Sequence, residues 1–262
     1  MKSLLEKTRE INKLAQNTSG RYINFTEIAN VLSKNINANI YIFNRKGKII
    51  GYSFMSDFYC QNINNLIKFD GRFPDKYINQ LLNITESVFK KSDNCIIKNS
   101  QICCLKNKHM ALIPILSEGL QIGALQLEKS GKFRQEDIFL AEYCATLIMM
   151  ESLRSNLAKV NEKERQKNAV KVALKKLSYS ELGAMQYLFD EIDNLNSSLL
   201  VASRIADKYG ITRSVIVNAL RKMESAGLIK VSSLGMKGVN IQLNNIYIKS
   251  ELKNIREYKC CK

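Results

Sequence analysis

Apolar residues recur along the chain with two periods, and the changes of period mark its elements. Leu4, Leu5, Ile11 and Leu14 fall at helical spacing, which predicts a helix over Ser3 to Gln16. Asn24-Phe25-Thr26-Glu27 opens a second helix that runs through Leu32 to Ile36. Two β-rich runs, 39–43 and 48–54, then flank Arg45-Lys46-Gly47 and predict a hairpin. A variable middle over Phe58 to Asp70 leads to Phe73-Pro74 and a helix from Asp75 to about Leu82. Further strands are expected at Cys95 to Lys98, Met110 to Leu116 and Gln121 to Glu128, the last two joined by a Ser117-Glu118-Gly119 turn.

Helices packed on one antiparallel sheet, with a crossing segment between central strands, describe a sensor fold of the GAF or PAS type. The class is therefore α+β. From Gln135 to about Leu177 the pattern is heptad-like (Ile138, Leu140, Ala141, Ala145, Leu147, Ile148, then Leu153, Leu157, Val160), without Pro or Gly. A helix this long reads as a linker leaving the sensor. Ser178-x-x-Glu181 is a capping box that starts a new helix through Phe189. The expected organisation is a sensor domain over 1–155, a helix over 135–177 shared between domains, and a C-terminal domain over 178–262.

That C-terminal domain carries the sharpest pattern. A short helix with Val201, Ile205 and Ala206 on its apolar side breaks at Gly210, and a second helix follows Thr212 with Val215, Ile216, Ala219, Leu220 and Met223 inward. Two helices and a Gly turn form a helix-turn-helix. Gly210 supplies the left-handed backbone, and Thr212 is expected to accept as N-cap. Opposite the buried stripe stand Arg213, Ser214, Val217, Asn218 and Arg221. Arg bonds bidentately to guanine and Asn to adenine; Ser214 and Lys222 are expected at phosphate. Ser203 and Arg204 on the first helix join the candidate contacts. Two β-favouring runs, Leu228 to Ser233 and Val239 to Leu243, make a wing with Lys237 at its tip.

Charge sharpens this picture. The chain has 262 residues and a net charge of +16, and from Arg204 onward twelve Lys or Arg face four acids. Such a field favours a polyanion such as double-stranded DNA. A composition 45% hydrophobic and 24% charged is globular. No apolar run approaches the roughly 20 residues of a membrane span, and the amphipathic start is no signal peptide, so a cytoplasmic protein without membrane contact is expected. Seven cysteines, an odd number with adjacent doublets Cys103-Cys104 and Cys260-Cys261, fit neither a disulfide framework nor a metal site beside the single His109. No nucleotide loop, nucleophile elbow or catalytic constellation is present, so no enzyme is expected and no cofactor is required.

The run ASRIADKYGITRSVIVNALRKMESAGLI, followed by SLGMKG, closely resembles the DNA-binding domain of the CodY family of nutrient-responsive repressors. The resemblance implies a GAF sensor domain and a cup for a branched-chain amino acid (isoleucine, leucine or valine), built partly by a Phe-Pro…Tyr segment. Phe73, Pro74 and Tyr77 match that segment; by itself, Phe-Pro before a helix also reads as an ordinary helix start. The family places an arginine nine or ten residues before the Phe to hold the ligand carboxylate. Here those positions are Ile63 and Asn64, with only Lys68 and Arg72 nearby. The resemblance also implies a response to GTP, for which no phosphate-cradling loop is found.

A homodimer reading paired half-sites is expected, because one winged helix reads few base pairs. The competing reading is a ligand-binding or protein-interaction module whose winged helix docks a protein. It is favoured if Arg213, Asn218 and Arg221 are turned inward or covered.

Overall fold

The computed structural model describes residues 2–16, 23–55, 60–81, 84–91, 108–195, 199–200, 202–233 and 239–260. They form two compact units, Met1–Asn156 and Leu157–Lys262. In the first, α1 (Leu4–Gln16) and α2 (Phe25–Ile36) precede β1 (Asn39–Asn44) and β2 (Ile49–Ser53). Then come α3 (Gln61–Phe69), α4 (Asp75–Leu81), β3 (Val88–Lys91), β4 (Lys108–Ser117), β5 (Leu120–Ser130) and α5 (Gln135–Lys175). The antiparallel sheet runs β2-β1-β5-β4-β3.

Local chemistry sets the element ends. Asn24 Oδ1 accepts the Thr26 N–H at 2.9 Å and starts α2, and Asn37 in the left-handed region stops it. Glu118 and Gly119 both have positive φ, the backbone a tight β4–β5 turn demands.

Strand alternation sends side chains to two different cores. Ile40, Ile42, Ala111, Ile113, Ile115, Leu125 and Leu127 pack under α1, α2 and the start of α5, where Ile11, Leu32, Leu140, Ala141 and Ile148 meet them. On the other face, Tyr41, Phe43, Leu112 and Ala124 pack against Ile63, Leu66, Phe73, Ile78 and Leu81 from α3, α4 and the segment between them. The sheet is thus covered on both sides.

The second unit continues with α6 (Tyr179–Leu195), β6 (Leu199–Leu200), α7 (Ala202–Tyr209), α8 (Arg213–Ser225), β7 (Ile229–Ser233), β8 (Val239–Leu243) and α9 (Ile248–Cys260). Its sheet runs β6-β8-β7. Val170, Ala173 and Leu174 at the end of α5 join Ala184, Met185, Leu188, Ile216, Leu220, Met223, Ile241 and Leu252 in one core.

Several elements depart from expectation. The strand at 95–98 falls outside the described residues; instead β3 lies at Val88–Lys91, and all four of its residues are exposed. The variable middle folds as α3, whose Ile63 and Leu66 are buried. Of the apolar positions expected along α5, Leu140, Ala141, Ala145 and Ile148 are buried, but Leu153, Leu157 and Val160 are exposed. Leu182 N–H to Ser178 C=O at 2.9 Å and a reciprocal box, Ser178 N–H to Glu181 Oε2 at 2.7 Å and Glu181 N–H to Ser178 Oγ at 3.2 Å, start α6 as the motif requires.

Candidate nucleic-acid interface and effector cup

The helix-turn-helix is held from beneath. Gly210 has φ +66°, and the Ile211 N–H reaches back to the Ala206 carbonyl at 3.0 Å, closing α7 in the six-to-one manner of a left-handed cap. Nothing lies within 4 Å of where a Gly210 side chain would begin, so the dihedral alone selects glycine. Ile205, Ala206, Ile216, Ala219, Leu220 and Met223 are buried. Glu191 on α6 accepts from Tyr209 Oη at 2.8 Å and from Lys208 Nζ, while Tyr187 stacks on Tyr209 at 4.2 Å, fixing α7 to α6.

The reading face stands clear of this core. Arg213, Ser214, Asn218 and Arg221 are exposed, Val217 is half-buried among them, and Arg204 is exposed on α7. Among the described residues, none of Arg204, Arg213 and Arg221 enters an ion pair. Ser203 falls in α7 with its side chain outside the description, and Lys237 lies outside the described residues. The wing strands pair from Ile229↔Leu243 to Ser233↔Val239. The Val231 N–H donates to Glu224 Oε1 at 2.8 Å, tying the wing to the end of α8.

Two expectations are corrected. Thr212 sits at the N-cap with extended backbone, but its hydroxyl is within 3.0 Å of Ser214 Oγ and accepts no helix N–H. Lys222, expected at phosphate, turns back: Nζ donates to Glu181 Oε2 at 2.7 Å and to the Lys176 carbonyl at 3.5 Å. Lys222, and after it the Ser178 N–H, hold the Glu181 carboxyl below the usual carboxylate range.

The second face of the first unit's sheet carries Phe73, Pro74 and Tyr77, the segment expected to build part of an effector cup. Phe73 is fully buried and meets Tyr41, Phe43 and Tyr77 with ring centroids 6.1, 5.2 and 5.5 Å away, mostly edge to face. The Phe73 N–H donates to Gly47 O at 3.0 Å and the Ile49 N–H to Gly71 O at 2.9 Å, so the β1–β2 hairpin tip holds this segment in place. Gly47 has φ +77°, and a side chain there would begin 2.7 Å from Ile78 Cγ1. Pro74 is exposed, and its carbonyl accepts from Tyr77 and Ile78 at the start of α4, so it frames the cup as a helix start.

Sequence reasoning missed the polar end of the cup. Tyr77 Oη donates to Gln126 Oε1 at 2.6 Å, Gln126 Nε2 to Glu128 Oε1 at 3.0 Å, and Lys108 Nζ to the same oxygen at 3.3 Å. Burial pushes the Glu128 carboxyl up from its ordinary value despite Lys108 and Gln126, and burial, with Glu128 beside it, raises the Tyr77 hydroxyl well above its own. Of the two positions where the family's arginine falls, Ile63 is buried and Asn64 half-buried, and neither carries a cation. Lys68 is exposed, and Arg72 is half-exposed and paired with Asp75. Among the described residues no cluster of three or more His, Cys, Asp or Glu could hold a metal. Buried Cys144 has its thiol pushed up to about 12 by burial and is unreactive on that ground. No helix among the described residues is long and apolar enough to cross a membrane.

Comparisons with known proteins agree with both ends. A family model described as the CodY GAF-like domain matches residues 3–176, and one described as the CodY helix-turn-helix domain matches residues 197–259. The global transcriptional regulator CodY of Clostridium botulinum (strain Okra / Type B1) is 45% identical over 259 residues, covering 98% of this chain and 100% of that one. That of Clostridium tetani (strain Massachusetts / E88) is 44% identical with the same coverage, 98% and 100%. Among solved structures, the cofactor-binding GAF domain of the nutrient sensor CodY from Clostridium difficile is 27% identical, covers 58% of this chain and 99% of that chain, and superposes with a TM-score of 0.36.

Proposed function

Because the chain belongs to the CodY family of global transcriptional regulators, we propose how its own residues do that work: α8 enters the major groove of duplex DNA and a small-molecule effector in the cup controls that binding. Arg213 and Asn218 are assigned to base edges, Arg221, Ser214 and Arg204 to base or phosphate, and Lys237 to phosphate beside the wing. One observation carries the reading. The polar face of α8 is exposed along its length while Ile216, Ala219, Leu220 and Met223 opposite it are buried. The protein-docking alternative is favoured if Arg213, Asn218 and Arg221 are turned inward or covered, and all three are exposed. Lys222, half-exposed and paired with Glu181, is assigned to neither base nor phosphate.

Salt titration of binding to an operator duplex tests the assignment. Each phosphate neutralised contributes a slope of about −0.9 in log affinity against log salt. The expected slope corresponds to several contacts per protein, and a slope near zero removes the reading.

The effector is assigned to the sheet face that carries Tyr41, Phe43, Phe73 and Tyr77, because Phe73, Pro74 and Tyr77 match the family's effector segment. Isoleucine, leucine and valine are the ligands the family implies, and GTP is a further effector on the same ground; no residue here is assigned to GTP. The regulator acts in the cytoplasm as a homodimer. Met150, Leu153, Leu157 and Val160 on α5 recur at alternating spacings of three and four and are exposed, the pattern of a seam that pairs with its own copy.

A further inference from the structure

The wing leaves α8 through a corner closed by main-chain bonds. Gly227 has φ +71°, its N–H donates to Glu224 O at 2.8 Å, and the Leu228 N–H reaches back to Met223 O at 3.1 Å, the left-handed close of a helix. Leu228 and Ile229 are then buried. Asn244, just past β8, donates from its main chain to Leu228 O at 3.0 Å and from its amide to Gly227 O at 3.3 Å. These contacts hold the root of the wing. Farther along, β7 is an edge strand in the order β6-β8-β7, so the N–H groups it turns away from β8 meet no strand. That of Val231 donates to Glu224 Oε1 at 2.8 Å.

Glu224 is thereby placed between the two DNA-facing parts of this unit. It sits in the last turn of α8, whose reading face ends at Arg221, and its exposed side chain spans the corner to reach β7 beyond the buried Ile229. By charge alone a carboxylate here opposes a polyanion. We propose that Glu224 is the positioning residue of the wing: by accepting from Val231 it keeps β7 seated against α8, so that wing and reading face meet one duplex already placed. The inference rests on the reading of α8 and the wing as a DNA-contacting pair. Its energetic form is preorganisation, since a wing seated for only a fraction of the time binds with an affinity lowered by that fraction. The net worth of one hydrogen bond bounds the loss at about threefold to tenfold.

Operator binding by the full chain, measured with three replacements of Glu224, separates the acceptor from the charge. Glu224→Gln is neutral but keeps an acceptor oxygen at the same reach. Glu224→Asp keeps the charge but falls one methylene short, and Glu224→Ala lacks both. Glu224→Gln is expected to bind at least as tightly as the parent. Glu224→Asp is expected to bind about threefold to tenfold more weakly than the parent, and Glu224→Ala more weakly than Glu224→Gln by about the same factor. Lys237→Ala, which removes the phosphate contact assigned to the wing, supplies a readout that a general loss of stability would not move. In that background the wing has no contact to be seated for, so the gap between Glu224→Gln and Glu224→Ala is expected to close. A gap that persists there, Glu224→Asp equal to the parent, or Glu224→Gln as weak as Glu224→Ala overturns the role of Glu224 while leaving the wing on DNA. Lys237→Ala with the parent's affinity and the parent's slope against salt overturns the wing reading itself, and the role of Glu224 with it.

Discussion

Arg213 and Asn218 stand five residues apart, about one and a half turns, on the exposed side of α8, and each is assigned to a base edge because its side chain can make two hydrogen bonds to one base. Replacing either with Ala is expected to cost about 1–3 kcal/mol of operator binding and to relax preference at one base pair. Titration of a panel of singly substituted operators reads both effects. Uniform weakening across the panel would assign the residue to phosphate instead. These positions were legible because an exposed face is the complement of a buried stripe, and the stripe is written in the sequence at helical period. Thr212 and Lys222 were not. Local spacing does not reveal that the Thr212 and Ser214 hydroxyls bond each other, or that Glu181, far back in the chain, takes the Lys222 ammonium. Glu128 was hidden for a different reason. In Leu125-Gln126-Leu127-Glu128 the alternation reads as a strand with one wet face, and only the covering by α3 and α4 turns that polar face into an interior.

At the scale of elements, legibility followed the range of the forces involved. Capping, turn and period are local, so α2, the β1–β2 and β4–β5 hairpins, α6 and the helix-turn-helix all lie where their sequence signals put them. β3 carried no signal, because none of Val88, Phe89, Lys90 and Lys91 is buried and its pairing to β4 rests on main-chain bonds. α3 was obscured by Asn62, Asn64 and Asn65, residues that favour turns over helix interiors; it folds because Ile63 and Leu66 find the sheet.

The start of α6 shows how much one local device supports. Glu181 closes the capping box with Ser178 and also holds Lys222 from α8, so it joins two elements of the DNA-binding unit. Glu181→Ala is expected to destabilise that unit by about 0.5–2 kcal/mol, the range for a lost cap. The difference depends on pH with a definite sign. The folded carboxyl titrates below its ordinary value, chiefly because Lys222 donates to it. Its stabilisation is therefore complete above the unfolded pKa and is lost as pH falls through the folded one. Denaturant unfolding of the variant and the parent should show the largest gap near neutrality and a shrinking gap below about pH 4. A gap that widened on acidification would contradict the arrangement.

For the molecule as a whole, the decisive element is α5, 41 residues long, whose first part packs in the sensor core and whose last part packs in the core of the DNA-binding unit. Between those parts it turns large apolar side chains to solvent: Met150 is 57% exposed, Leu157 64% and Val160 52%. Single exposed hydrophobes are ordinary, but a row of them at heptad spacing on a helix without Pro or Gly is a surface that pairs. The occupant proposed for this surface is a second copy, because a seam is complementary to itself and because two-fold pairing would bring two recognition helices to one operator. Leu153→Lys/Leu157→Lys places charge in the seam without touching either core. The double variant is expected to sediment as a monomer where the parent sediments as a dimer, with heat unfolding unchanged. Its operator affinity should fall by about a hundredfold or more, since the two half-sites would no longer be bound as one. Retention of the dimer would move the interface off α5. Loss of the dimer with operator affinity intact would mean that each winged helix reads its site alone, and that the paired half-site reading is wrong.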